Sequence, residues 1–206
     1  MAFDVDIAVQ RGSKRIVCRF NSPAGITALV GVSGAGKSSV LGAIAGLLRP
    51  TEGRIAIGGR VLFDSAARID LPPEARACGM VFQDLRLFPH RRVRENLLFG
   101  YHLAPPERRR FGLDETCAFL EIAPLLARRT RTLSGGEAQR VAIGRALMAG
   151  PSFLLMDEPL SSLDTARREE VMRVMARIRA EFALPILLVT HERAQIDRLA
   201  DHVVEL

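Results

Sequence analysis

Residues 31–38, Gly31-Val32-Ser33-Gly34-Ala35-Gly36-Lys37-Ser38, carry the spacing G-x-x-x-x-G-K-[ST]. The glycines let successive backbone N–H groups converge on an anion at a helix N-terminus, where the helix dipole adds positive potential. In that pattern Lys37 reaches terminal phosphates and the Ser38 hydroxyl completes a magnesium shell, with Ser39 following in the first helical turn. A second candidate is the apolar run Phe153-Leu154-Leu155-Met156, which ends in Asp157-Glu158. A strand buried on both faces has no use for adjacent acids except at its carboxyl end, where ligands bind in open α/β sheets. Asp157 suits a magnesium ion held through water, and Glu158 is left to orient or deprotonate an attacking water. The third is Leu133-Ser134-Gly135-Gly136-Glu137: Ser134 is a natural N-cap, and two glycines at a helix start expose N–H groups to an anion.

Composition sharpens the first candidate. Only Lys14 and Lys37 among the 29 basic residues are lysines, the rest being arginines, so a lysine inside a motif is not background. A chain of 206 residues, 48% hydrophobic and 25% charged, is long enough for one substantial domain that buries roughly 70% of its unfolded surface. A disulfide mini-protein and a disordered chain are excluded. Cys18, Cys78 and Cys117 are odd in number and never spaced C-x-x-C, so neither a disulfide framework nor a zinc site is expected, and a reducing cytoplasm fits. No stretch approaches about 18 consecutive apolar residues, and Asp4 and Asp6 stand where a secretory signal needs bases. The expectation is a chain that neither crosses a membrane nor is secreted.

The elements that must position these groups follow from periodicity. Phe3, Val5, Ile7 and Val9 alternate as an edge or half-buried strand, with Ile16 to Phe20 as its neighbour. Ile26 to Val30 is a compact apolar strand leading into the glycine-rich loop, and Val40, Leu41, Ile44, Leu47 and Leu48 have helical spacing up to Pro50. Ile55 to Phe63 around Gly58-Gly59 predicts a hairpin, and 79–83 another short strand. Helices are expected over 135–148 and 166–182, buried strands at 153–156 and 186–189, then a last helix and strand. Alternating strands and helices imply an α/β fold with a mostly parallel, helix-covered sheet. Between them, residues 86–131 hold ten arginines against five acids, with Pro105, Pro106 and Pro124 breaking short helical patterns. The expectation is one domain over 1–206: a core of 1–83 and 132–206, and an inserted helical segment, 84–131.

Six pieces now stand in a fixed order: GVSGAGKS (31–38), Gln83 after Val81-Phe82, LSGGE (133–137), FLLMDEP (153–159), SSLD (161–164) and His191 after a buried strand. In this order they resemble the ATP-binding cassette (ABC) ATPases along nearly the whole chain. The resemblance implies the P-loop NTPase fold in its ABC form, with a mixed-sheet core, an N-terminal antiparallel β subdomain and an inserted helical signature subdomain. It implies ATP and Mg2+ as cofactors. It makes Glu158 the base, Gln83 the glutamine that senses magnesium and γ-phosphate, and His191 the switch histidine that holds γ-phosphate and water. Metal contacts fall to Ser38, Gln83 and Asp157. Asp164 communicates across a dimer in which Leu133, Ser134, Gly135, Gly136 and Glu137 close over the ATP of the other protomer, so a head-to-tail homodimer in the ATP-bound state is expected. His90, His102 and His202 read as structural.

QDLRLFPHRRVRENL (83–97), GITALVGVSGAGK (25–37) and LSGGEAQRVAIGRALM (133–148) most resemble the molybdate-importing ATPase subunits, near the sulfate importers. This implies ATP hydrolysis coupled to transmembrane import, membrane permease subunits as partners, a solute-binding protein reached through them, and a peripheral place on the cytoplasmic face of the inner membrane. The rival is a non-transport ABC protein acting on nucleic acid or a ribosome. Such proteins carry tandem cassettes or long coiled coils, and few aromatics interleave the bases here, so no nucleic acid is expected and Arg108-Arg109-Arg110 reads as a solvated face. Two departures stand out. Importers of this group stack adenine on an aromatic residue near positions 8–11, where this sequence has none; either Phe3 or the Arg11 guanidinium substitutes, or base stacking is weak. The molybdate branch also carries a C-terminal regulatory domain, whereas this chain stops at Leu206: it is a cassette-only member or a shortened one, and feedback by cargo is expected to be absent.

Overall fold

A computed structural model describes residues 1–161 and 163–206; Ser162, within the SSLD motif, lies outside the described residues. Strands β1 (Phe3–Arg11) and β2 (Lys14–Ser22) form a hairpin that closes on Gly12-Ser13, with Gly12 at φ 58°. They join β4 (Glu52–Ile57), β5 (Arg60–Asp64) and β6 (Ile69–Asp70) in an antiparallel sheet of order β2-β1-β4-β5-β6. The β4–β5 turn has Gly58 at φ 56° and Gly59 at φ 80°, the two left-handed positions that match hairpin twist. β1 is not an edge: it pairs on both sides, with β2 and β4, and Phe3, Val5, Ile7 and Val9 are almost wholly buried.

The second sheet is parallel, in the order β10-β3-β9-β8-β7. It comprises β3 (Ile26–Val30), β7 (Cys78–Val81), β8 (Phe153–Asp157), β9 (Ile186–Val189) and β10 (His202–Glu205). The expected mixture of strand directions is thus present but segregated, one direction per sheet. Alternate residues of β8 and β9 enter different cores. Phe153, Leu155, Leu187 and Val189 pack with the antiparallel sheet and helix α1 (Lys37–Ala45). Leu154, Met156, Ile186 and Leu188 pack with α2 (Val93–Leu103), α3 (Leu113–Leu120), α4 (Gly135–Met148) and α5 (Thr165–Phe182). Two apolar faces explain why these strands read as continuous hydrophobic runs. A last helix, α6 (Arg193–Leu199), precedes β10.

Two boundaries differ from the sequence expectation. α1 stops at Ala45, before Leu47 and Leu48, because Gly46 takes a left-handed C-cap at φ 82° and the buried Arg76 guanidinium donates to the Ala43 and Ile44 carbonyls at 2.8 and 3.0 Å. β7 ends at Val81, which leaves Gln83 on the connection beyond the sheet. Within 84–131, the fully buried Asn96 accepts from the Phe88 N–H at 2.8 Å and donates to the Phe88 and Arg92 carbonyls, tying the incoming loop to α2. On α4, Gly144 lies so close to Leu97 and Leu120 that a Cβ would meet each at 2.8 Å, which lets α2 and α3 pack directly on it. Among the described residues no helix is long and apolar enough to cross a membrane.

Candidate functional site

β3 ends in the glycine-rich loop, whose Gly31, Gly34 and Gly36 have φ of 151°, 77° and 117°, a backbone that L side chains rarely adopt. A Cβ on Gly36 would come within 2.6 Å of Ile16, so the loop lies directly against the β1–β2 hairpin. The loop opens α1, and with the ends of β7, β8 and β9 it bounds a cavity of about 670 Å3. Lys37 is nearly buried, its ammonium donating to the Gly31 and Val32 carbonyls at 2.8 and 3.0 Å. Ser38 donates to Asp157 at 3.1 Å.

Glu158 sits one residue past β8 at φ 45°, in the left-handed region. Its N–H donates to the Val189 carbonyl at 3.0 Å, and its own carbonyl accepts from the Ser161 hydroxyl at 3.1 Å. These bonds hold a backbone turn that aims the carboxylate into the cavity, where Gln83 Nε2 donates to Oε2 at 3.3 Å and His191 Nδ1 lies 3.3 Å from Oε1. Three residues far apart in sequence, from the ends of β7, β8 and β9, therefore converge on one carboxylate.

Asp157 is 8% exposed, and burial raises its carboxyl pKa above the ordinary value, the bond from Ser38 only partly opposing that shift. A carboxyl whose pKa is raised by folding costs stability when ionised: the cost is complete above the folded-state pKa and disappears as pH falls through it. Asp157→Asn is therefore expected to raise the melting temperature of the nucleotide-free protein at pH 7 by about 2–4 °C, equivalent to about 1 kcal/mol, with the difference shrinking at acidic pH. Calorimetry across pH checks this, and a lower melting temperature at pH 7 would show that the Ser38 bond outweighs desolvation. The donors gathered here, one buried carboxylate, one hydroxyl and the Gln83 amide oxygen, are hard oxygens, the set that suits magnesium when phosphate oxygens fill the remaining positions. Among the described residues no cluster of three His, Cys, Asp or Glu offers an all-protein metal cage.

The LSGGE segment is placed elsewhere. Ser134 caps α4: its hydroxyl accepts from the Glu137 N–H at 3.4 Å while the Glu137 carboxylate accepts from the Ser134 N–H at 2.7 Å. That backbone bond, with the Arg128 guanidinium 3.1 Å away, holds the Glu137 pKa below its usual value. None of Leu133 to Glu137 lines the cavity of their own chain, nor does Asp164, which caps α5 by accepting from the Arg167 N–H at 3.0 Å. Of the two substitutes for an aromatic platform, Phe3 is excluded: it is wholly buried, its ring 6.1 Å edge-on from Phe153. Arg11 does line the cavity, with Lys14 and Ile16 beside it, two residues that no sequence motif marked. The scarcity of lysine was the available signal for Lys14.

Residues 20–161 match the family of ABC transporters, and the chain belongs to that family. It is similar to the molybdenum import ATP-binding protein ModC of Rhodospirillum rubrum, 52% identical over 201 residues that cover 98% of this chain and 54% of that protein. To the ModC of Paramagnetospirillum magneticum it is 53% identical over 198 residues, covering 96% and 54%. The chain thus spans about half the length of the curated relatives it matches. Among solved structures it resembles an ATP binding subunit of an ABC transporter, with a TM-score of 0.81 and 25% identity over 100% of this chain and 86% of the other. It also resembles a dimeric ATP-binding cassette in a post-hydrolysis state bound to ADP and Pi, with a TM-score of 0.76 and 28% identity over 100% and 93%.

Proposed function

We propose that this chain is the ATP-hydrolysing subunit of an ABC importer for molybdate or a related oxyanion. The observation that carries the chemistry is the convergence of Gln83 and His191 on Glu158 in the cavity that contains the phosphate loop. In this reading the loop N–H groups and Lys37 hold the triphosphate of ATP, and Glu158 accepts the proton of the attacking water while His191 and Gln83 orient that water and the γ-phosphate. Ser38, Gln83 and Asp157 would hold Mg2+, which would supply neutralisation of the phosphate charge. Residues 84–131 act as the helical signature subdomain inserted into a core of 1–83 and 132–206.

The placement of Leu133–Glu137 away from their own chain's cavity supports a head-to-tail homodimer in the ATP-bound state, in which each α4 N-terminus meets the partner's ATP and Asp164 stands at the junction. The ModC relatives, named as molybdenum import ATP-binding proteins, support the cargo and the import role. The same reading takes integral permease subunits as partners, a solute-binding protein reached through them, and a peripheral position on the cytoplasmic face of the cell membrane. The test is to purify the full chain with ATP from detergent-solubilised membranes and identify what accompanies it. A polytopic membrane protein is expected; ribosomal or DNA-bound material without a permease would overturn the importer reading.

A further inference from the structure

His191 is placed by the backbone on either side of it. Its side chain is 56% exposed and meets Glu158 at 3.3 Å, while both of its neighbours in sequence are tied down. Before it, the buried Thr190 hydroxyl donates to Gln195 Oε1 at 2.8 Å and accepts from the Glu192 N–H at 3.2 Å. After it, the Glu192 carboxylate accepts from Arg168 Nη1 at 2.9 Å, in an ion pair whose two side chains are each less than a third exposed. The other terminal nitrogen, Nη2, donates to the Leu163 carbonyl at 3.0 Å. Arg168, in the first turn of α5, thus grips two connections at once: the one that carries His191 and the one that carries Asp164.

Leu163 in turn lies against the start of α4. A Cβ on Gly135 would meet Leu163 at 3.2 Å and one on Gly136 would meet Arg167 at 3.2 Å, so both glycines of LSGGE rest on the segment that Arg168 holds. A guanidinium is a rigid planar fork, and two bonds from one fork fix the separation of the groups that accept them. Misplacing a reacting group by about 1 Å can cost about 10²-fold in rate. We propose that Arg168 is a positioning residue for the reaction: through Glu192 it fixes the His191 loop against Leu163 and the α4 N-terminus, and so sets where His191 stands. This rests on the hydrolytic reading above, in which His191 meets the γ-phosphate.

A second ion pair supplies the control. Arg198 of α6 bonds both carboxylate oxygens of Glu169 on α5, joining the same two helices away from both connections. ATP affinity and single-turnover hydrolysis of γ-labelled ATP, which stays measurable in slow variants, are compared in the full chain. Arg168→Met should slow hydrolysis by about ten- to a hundredfold with ATP affinity within about twofold of the parent, and Arg168→Lys should recover most of the rate. Glu192→Gln should slow it by about three- to tenfold, and Arg198→Met by less than about twofold. Because Arg168 acts through His191, adding Arg168→Met to His191→Ala should change the rate by less than about twofold. Parent-like hydrolysis in Arg168→Met, an equal loss in Arg198→Met, or losses that multiply on the His191→Ala background would overturn the proposal. If Arg168→Met shows no melting transition, Glu192→Gln decides by the same readings, alone and with His191→Ala. Parent-like hydrolysis in His191→Ala itself would instead overturn the role of His191 on which the proposal rests.

Discussion

Glu158→Gln is expected to lower steady-state ATP hydrolysis by about 10²–10⁴-fold while ATP affinity stays within about threefold of the parent. Glutamine has nearly the same shape and can still bond to Gln83 and His191, so the cavity geometry of 3.3 Å contacts on either side is preserved. What it lacks is the ability to take a proton from water. Because binding is retained and turnover is lost, the ATP-bound dimer should accumulate, which phosphate release and light scattering measured together would register. Parent-like turnover in Glu158→Gln would remove this carboxylate from the chemistry.

Ser134→Arg should abolish ATP-dependent dimerisation and reduce hydrolysis by about 10³-fold, with ATP still bound by the single chain. An arginine there removes the N-cap, worth about 1 kcal/mol, and places bulk and positive charge where N–H groups should meet phosphate. A companion separates damage to α4 from damage to the interface: Ser134→Asp keeps a capping oxygen for the Glu137 N–H yet brings negative charge against the partner's ATP. Both variants should remain monomeric in ATP by light scattering. If Ser134→Asp dimerises like the parent, α4 does not meet nucleotide across an interface.

The motifs most readable in the sequence are those in which a short contiguous stretch dictates its own backbone. The glycines of 31–36, the apolar run into Asp157-Glu158 and the Gly58-Gly59 turn are of that kind, and each occupies the element its residues predict. The meeting of Gln83, Glu158 and His191 follows from strand order, which local patterning does not encode; it took the resemblance to single out Gln83 and His191. Alternation left open whether strand β1 is an edge or a half-buried strand, because it reports which faces are buried and says nothing about how many neighbours a strand has; β1 pairs on both sides. Arg76 and Arg145 were invisible for a different reason. Arg76 caps α1 from more than thirty residues away, and Arg145 donates to the Leu85 and Arg86 carbonyls, just past Gln83, at 2.8 and 2.6 Å. Long guanidinium side chains that reach backbone carbonyls of distant loops leave no spacing to recognise.

The two acids that end β8 have a bearing on how this chain can change over generations. Burial of Asp157 penalises its ionised form, and Glu158 holds a left-handed backbone that costs a non-glycine residue roughly 1–2 kcal/mol. A laboratory selection for heat resistance alone would thus favour asparagine at 157 and glycine at 158, and its winners would be sturdy proteins that no longer turn over. Any campaign to harden this scaffold has to select for turnover at the same time, because two of its thermodynamic improvements lie in adjacent codons at the heart of the machine.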